Sequence, residues 1–254
     1  MELFTLKGRV AVVTGGNGGI GLGIAKGLAS AGASIVVAAR DADKNEAAIK
    51  ELEVFAVKAM AVETDVRKLD SCQSMFDQAT ASYGGVDILV NNAGMNIRQQ
   101  PQEYDLEAWN TVMETNLTSA MLCSKFAHPI MKQRGGGKII NIGSMMSIFG
   151  APFASAYAAS KGGMVQFTKA CASAWAADNI QVNAVLPGWI DTDLTRRGRK
   201  EVSGLHERVL ARTPAGRWGV PDDHAGIAIF LSGKGSDFVT GASITVDGGF
   251  SIQA

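Results

Sequence analysis

Runs of branched apolar residues alternate along the chain with segments of helical periodicity. The runs are "VAVVTG" (10–15), "SIVVAAR" (34–40), "AVETDV" (61–66), "DILVNNAG" (87–94), "KIINIGS" (138–144), "QVNAVLPG" (181–188) and "SITVDGG" (243–249). Several are apolar throughout rather than at every second position, as in strands covered on both faces. Strands of that kind separated by helices predict an α/β fold: a doubly wound, Rossmann-type parallel sheet of about seven strands with helices on both sides. The rhythm continues without a Pro-, Ser- or Gly-rich linker, an internal repeat or a low-complexity tract, which predicts one domain over 1–254. Residues 190–212 break it. They read as a substrate lid, with the basic stretch "RRGRK" (196–200) a solvated face rather than a carboxylate trap.

The first run leads directly into "TGGNGGIG" (14–21), followed by the helical pattern "LGIAKGLASAG". Glycines there allow a tight turn and close approach of backbone to a pyrophosphate, whose charge the free amides and dipole of a helix start favour. So dense a run fits two templates: Gly16, Gly18 and Gly21 satisfy G-x-G-x-x-G, and Gly15, Gly19 and Gly21 satisfy G-x-x-x-G-x-G. Its position between strand and helix is what a dinucleotide site requires. A second pattern is "SAYAASK" (155–161), which sets Tyr157 and Lys161 on one helical face among residues too small to crowd them. Alone, the pair is equally an amphipathic core tyrosine beside a solvated lysine.

Composition narrows the field. The 254 residues are 46% hydrophobic and 19% charged, enough for a sizeable core. Basic and acidic residues balance at 24 each, leaving no field to hold nucleic acid or an anionic membrane surface. Cys72, Cys123 and Cys171 are odd in number and far apart in sequence, which suits reduced thiols in the cytoplasm. His128, His206 and His224 are equally scattered, so no metal is expected. The start "MELFTLKGRV" lacks the basic head and apolar run of a signal peptide, and no run approaches the ~20 residues of a membrane span. The expectation is a soluble cytoplasmic protein acting on a small molecule.

In chain order, "TGGNGGIG", "DV" (65–66), "NNAG" (91–94), "TNL" (115–117), "IGS" (142–144), "YAASK" (157–161) and "PG" (187–188) resemble the motifs of the short-chain dehydrogenase/reductase family. "NNAGMNIRQQP" (91–101) and "TPAGRWGVPDD" (213–223) further resemble its gluconate 5-dehydrogenase and 2-dehydro-3-deoxy-gluconate dehydrogenase branch. The resemblance implies an NAD(P)-dependent ketoreductase that moves hydride between nicotinamide and a ketone or secondary alcohol. It makes Tyr157 the general acid, or the base in reverse, and Ser144 the hydroxyl that holds the substrate oxygen. Lys161 becomes the cation that lowers the tyrosine pKa and bonds the nicotinamide ribose. Asn116 shapes its helix and holds a water in the proton relay. A free tyrosine titrates near 10, so bringing it to neutrality takes roughly 4 kcal/mol, about what a cation some 4 Å away supplies at an effective dielectric of ~20.

The same resemblance assigns cofactor contacts to Gly15, Asn17, Gly19, Ile20 and Gly21, to Asp65 and Val66 at the adenine, and to Asn91, Asn92, Ala93 and Gly94 at the adenosine ribose. Pro187, Gly188, Ile190 and Thr192 fall toward the carboxamide, with Tyr157 and Lys161. At the end of the second strand an acidic residue normally binds the ribose of NAD. Ala39 stands there and Arg40 follows, so NADP(H) is expected over NAD(H), with Arg40 pairing a 2′-phosphate. Gly18 stands where many NADP-using members carry a second basic residue, and Asp41 adds an opposing charge. The expected substrate is an oxo sugar acid near Arg98, Met145, Met146 and Trp189. A bulky or cyclic neutral ketone and a 3-oxoacyl substrate are the alternatives; a non-catalytic dinucleotide sensor would not need the intact tetrad. Small residues on several faces of "YAASKGGMVQFTKACASAWAAD" (157–178) predict a homo-oligomer, a tetramer by the family resemblance.

Overall fold

The computed structural model describes residues 2–253. Its elements are β1 (Val10–Thr14), α1 (Gly19–Ser30), β2 (Ser34–Ala39), α2 (Ala42–Leu52), β3 (Ala59–Glu63), α3 (Leu69–Tyr83), β4 (Ile88–Asn91), α4 (Leu106–Met113), α5 (Ser119–Gln133), β5 (Gly137–Ile142), α6 (Ser155–Trp175), β6 (Ile180–Pro187), α7 (Asp193–Glu201), α8 (Leu205–Arg212), α9 (Ala225–Ser232) and β7 (Ser243–Val246). The strands form one sheet in the order β3-β2-β1-β4-β5-β6-β7, and every pairing is parallel.

Two apolar cores explain why the strands show no alternation. Val12, Val36, Leu89, Ile139 and Val182 face one side, against Met75 and Phe76 of α3 and Ala127 and Met131 of α5. Their neighbours Ala11, Val13, Ile35, Val37, Ile88, Val90 and Ile140 face the other, against Ile24 and Leu28 of α1 and Leu231 of α9. Both faces of each central strand are therefore dry, and the two halves of a pleat are equally apolar.

Several strands end short of their apolar runs, and for two of them the structure shows why. The third spans Ala59–Glu63 rather than 61–66, because the Asp65 amide leaves the ladder to donate to Ser71 Oγ (3.0 Å) at the start of α3. The fourth stops at Asn91 rather than 94, because the amides of Asn92 and Ala93 both donate to Thr14 Oγ1 (3.0 and 3.1 Å). Residues 190–212 hold the two short helices α7 and α8. Their basic cluster is partly engaged: Arg196 and Arg199 both pair with Asp191, and Arg199 also lies 4.3 Å over the Trp218 ring. The fold also gathers two cysteines far apart in sequence: Cys72 and Cys123 are buried thiols with sulfurs 3.9 Å apart. Among the described residues no helix is long and apolar enough to cross a membrane.

Candidate active site

The sheet order reverses between β1 and β4, and there a crevice of about 750 Å³ opens at the carboxyl ends of the strands, the place where such sheets bind ligands. Every predicted cofactor residue except Gly21 and Asn91 lines it. Gly21 lies beneath the glycine loop, where a Cβ would collide with the Gly15 carbonyl and the Asn92 amide. Asn91 is buried in a polar ladder, with Nδ2 donating to Asn141 Oδ1 (2.8 Å) and Ser124 Oγ (3.1 Å). Both residues shape the crevice wall from behind.

The loop turns through Gly15 and Gly19, whose φ of +63° and +50° lies in the left-handed region where side chains are strained. Asn92 Nδ2 holds it from across the switch point, donating to the carbonyls of Thr14 (2.9 Å) and Gly15 (3.2 Å). Asn17 Nδ2 ties its tip to Asn45 Oδ1 (2.8 Å) on α2, and Asn45 Nδ2 reaches the Ala39 carbonyl (2.9 Å). Neither motif nor spacing pointed to Thr14 or Asn45 as organisers of this loop. A polar side chain among apolar ones on a buried face was the available signal: Asn45 shares that face of α2 with Ala48 and Leu52 and is almost fully buried. The bare cradle, the start of α1 at Gly19 and the length of the crevice from Arg40 to Thr192 fit a dinucleotide.

At the other end α6 presents Tyr157 and Lys161. Lys161 Nζ is buried and donates to the Ile142 carbonyl (2.7 Å), at the end of β5 and two residues before Ser144. Burial drives its pKa down to about 8. Burial also pushes the Tyr157 phenol upward, against the neighbouring Ser144 hydroxyl and the positive charge of Arg98. The expected fall of the tyrosine toward neutrality is therefore not met. Lys161 is aimed at a carbonyl, its Nζ 5.7 Å from the tyrosine ring centroid, and desolvation is the largest effect on the phenol. A phenol kept protonated can give a proton to a carbonyl oxygen at neutral pH.

Asn116 does not reach the crevice wall. It lies in a π-helical turn, Glu114–Thr118, that joins α4 to α5 and points its fully buried side chain at the loop after β4. Its Oδ1 accepts from the Met95 amide (2.8 Å), and Nδ2 donates to the Met95 carbonyl (2.9 Å) and Ser160 Oγ (3.0 Å). Both amide protons are thus committed to protein groups, which suits the helix-shaping part expected of it. Gly94 lies against the same group: a Cβ there would sit 3.3 Å from Asn116 Oδ1 and 3.5 Å from Lys161 Nζ, close contact on both sides.

The predicted substrate residues separate. Met145 is a core residue, 2% exposed among Ala184, Leu186 and Phe250, because the capped turn after Ser144 rotates it inward. Met146 and Trp189 pack against that cluster, and the Trp189 indole N–H is buried without a partner. None of the four lies on the wall of the main crevice; Trp189 borders a smaller adjoining one. Arg98 crosses α7 at Gly198, donating to Glu201 (2.7 Å) and the Leu194 carbonyl (3.4 Å).

A parallel sheet, a glycine cradle and a tyrosine–lysine pair beside a strand-end serine define a class. The chain belongs to the short-chain dehydrogenase/reductase family: residues 15–251 match a family model described as enoyl-(acyl carrier protein) reductase. Within the family it is 42% identical to a 2-dehydro-3-deoxy-D-gluconate 5-dehydrogenase of Formosa agariphila, over 98% of this chain and 95% of that one. It is 40% identical to the protein of the same name from Escherichia coli, over 98% of both chains. A gluconate 5-dehydrogenase from Burkholderia cenocepacia, crystallised with NADP and tartrate, superimposes with a TM-score of 0.94 at 37% identity, covering 100% of this chain and 99% of its own.

Proposed function

We propose that the chain interconverts an oxo sugar acid and its hydroxy acid, with NADP(H) in the crevice and Tyr157 transferring the proton. The observation that carries the substrate class is Arg98. Its guanidinium already holds one carboxylate, that of Glu201, and its charge reaches the Tyr157 hydroxyl. A planar fork whose charge is felt at the proton donor suits a substrate with a carboxylate near its carbonyl. The names of the relatives point to the same chemistry.

A bound nicotinamide supplies the hydride in reduction and accepts it in oxidation. Arg40, Asp65 and Val66 would hold the adenosine end, and the glycine loop, Asn92, Ala93, Gly94, Pro187, Gly188, Ile190 and Thr192 the remainder. Ser144 Oγ holds the substrate oxygen against Tyr157, which gives it a proton as carbon gains hydride. Lys161 stabilises the phenolate left behind. Asn116 acts through position, tying Met95 to Ser160, which lies between Tyr157 and Lys161 on α6.

In the same reading residues 1–254 form a single domain, in which α7 and α8 cover the substrate as a lid over 190–212. The assembly is a homotetramer, supported by the small outward residues Ala159, Ala170, Ser173 and Ala174 of α6. Three free thiols are in keeping with a reducing, cytoplasmic setting. The test is NADPH consumption with a panel of oxo sugar acids, 3-oxoacyl esters and neutral aryl or cyclic ketones. Oxo sugar acids should be reduced at least about tenfold better than the rest, and Arg98→Ala should remove that margin. Preference for neutral ketones, unaltered by Arg98→Ala, would refute the substrate class.

A further inference from the structure

The adenosine end of the crevice carries a cation that no motif marks. Lys44, in the first turn of α2, lines the same wall as Arg40, Gly18 and Asn17. Arg67, nearby, is already committed, gripping Asp65 with two hydrogen bonds (2.8 and 3.0 Å). Lys44 is not: its one ion-pair partner is Asp193 of α7 at 3.7 Å, and the two side chains are 59% and 75% exposed. A contact so long and so wet contributes little.

We propose that Lys44 is the second cation of the 2′-phosphate site, supplying the charge that Gly18 lacks. This rests on the reading that the cofactor is NADP(H). Three features place it. Asn45, the next residue, is bonded on one side to Asn17 of the glycine loop and on the other to the Ala39 carbonyl, so the start of α2 is held between the loop and the end of β2. A Cβ built on Gly18 meets nothing within 4 Å, so the space over the loop is open to a side chain arriving from α2. Asp41, the opposing charge beside Arg40, is occupied as the α2 cap, its Oδ1 accepting from the Lys44 amide (3.0 Å). A phosphate dianion between Arg40 and Lys44 would replace the weak Asp193 contact with a charge-assisted one. Asp193 then acts as a competitor for the lysine, so the start of α7 is released when the phosphate is present.

The experiment is calorimetric titration with adenosine 2′,5′-bisphosphate and with 5′-AMP, which differ only in the 2′-phosphate. Lys44→Met should weaken the bisphosphate about fivefold and leave 5′-AMP within about twofold, the size of one exposed charge-assisted contact. Asp193→Asn should act with the opposite sign, tightening the bisphosphate. Lys44 is exposed, so the thermal midpoint of the variant should match the parent and exclude a folding defect. If the parent binds both nucleotides equally, the NADP(H) reading itself falls and the assignment with it. If the parent discriminates and Arg40→Ala abolishes the difference while Lys44→Met changes neither nucleotide, or both alike, the Lys44 assignment alone is wrong.

Discussion

The two ends of the crevice carry the same charges in opposite surroundings. At the adenosine end Arg40, Lys44 and Arg67 are exposed, and the neighbouring Asp65 is held at a pKa of about 2 chiefly by its hydrogen bonds to Arg67, against a modest opposing effect of burial. At the proton-transfer end Lys161 is 3% exposed with one carbonyl for company, and burial alone takes it down to about 8. Water screens charge at the first end and leaves the fold almost indifferent to it. At the second end each charge is expensive to hold, so burial loosens the proton of Lys161 and tightens that of Tyr157. Affinity is tuned where substitution is cheap, and chemistry is placed where it is not.

Removing the phenol oxygen tests this contrast with the largest expected effect. Tyr157→Phe should lower kcat by at least about a thousandfold while the dissociation constant of NADP+ changes by less than about threefold, because the hydroxyl is required only as the oxygen gains its proton. Tryptophan-fluorescence titration and steady-state rates measure the two halves. A variant retaining most of its turnover would remove Tyr157 from the mechanism.

Lys161→Met should also cut turnover, by about a hundredfold or more, and yet stabilise the fold. An ammonium whose folded pKa is depressed from 10.5 to about 8 is charged in both states below that pH, so the fold bears the full cost of burying it. Between the two values the folded chain sheds its proton first, and the cost fades as pH rises. Allowing for the lost bond to the Ile142 carbonyl, the variant should gain about 1–2 kcal/mol in urea unfolding near pH 7. That advantage should shrink as pH climbs through 8 toward 10.5. A variant less stable than the parent at neutral pH would show that Lys161 is well accommodated and that the two ends of the crevice do not differ as described.

The legibility of the sequence follows the same divide. The strand runs, the glycine loop and the Tyr157–Lys161 pair were readable because each depends on local spacing: apolar runs, glycine at left-handed turns, one helical face. The placement of Met145 and Gly21 was not, since each depends on a contact distant in sequence, Leu186 and Phe250 for the first and Asn92 for the second. The direction of the Tyr157 shift was missed for a related reason. A motif shows that a cation is near, but how much water the fold removes decides which effect is larger. Lys44 was unreadable because a charged residue in the first turn of a surface helix looks like any other. Only the ties of Asn45 to Asn17 and Ala39 show what it stands beside.

A smaller effect than either belongs to Arg40. It is exposed at the end of β2, where Ala39 offers the ribose no acceptor, and its charge also acts on Asp65. Arg40→Ala should therefore lower kcat/KM for NADPH by about tenfold, leave NADH within about twofold, and leave kcat nearly unchanged for both, since the 2′-phosphate is bound equally before and at the transition state. The loss should itself shrink as ionic strength rises, because an exposed contact is screened over roughly a Debye length of about 10 Å at 0.1 M salt. The effect of Lys161→Met on turnover, inside the crevice, should not. Measuring both variants across a salt series separates screened charge from buried charge in one protein. A parent that prefers NADH, or an Arg40→Ala loss that is as insensitive to salt as that of Lys161→Met, would break the contrast between the two ends.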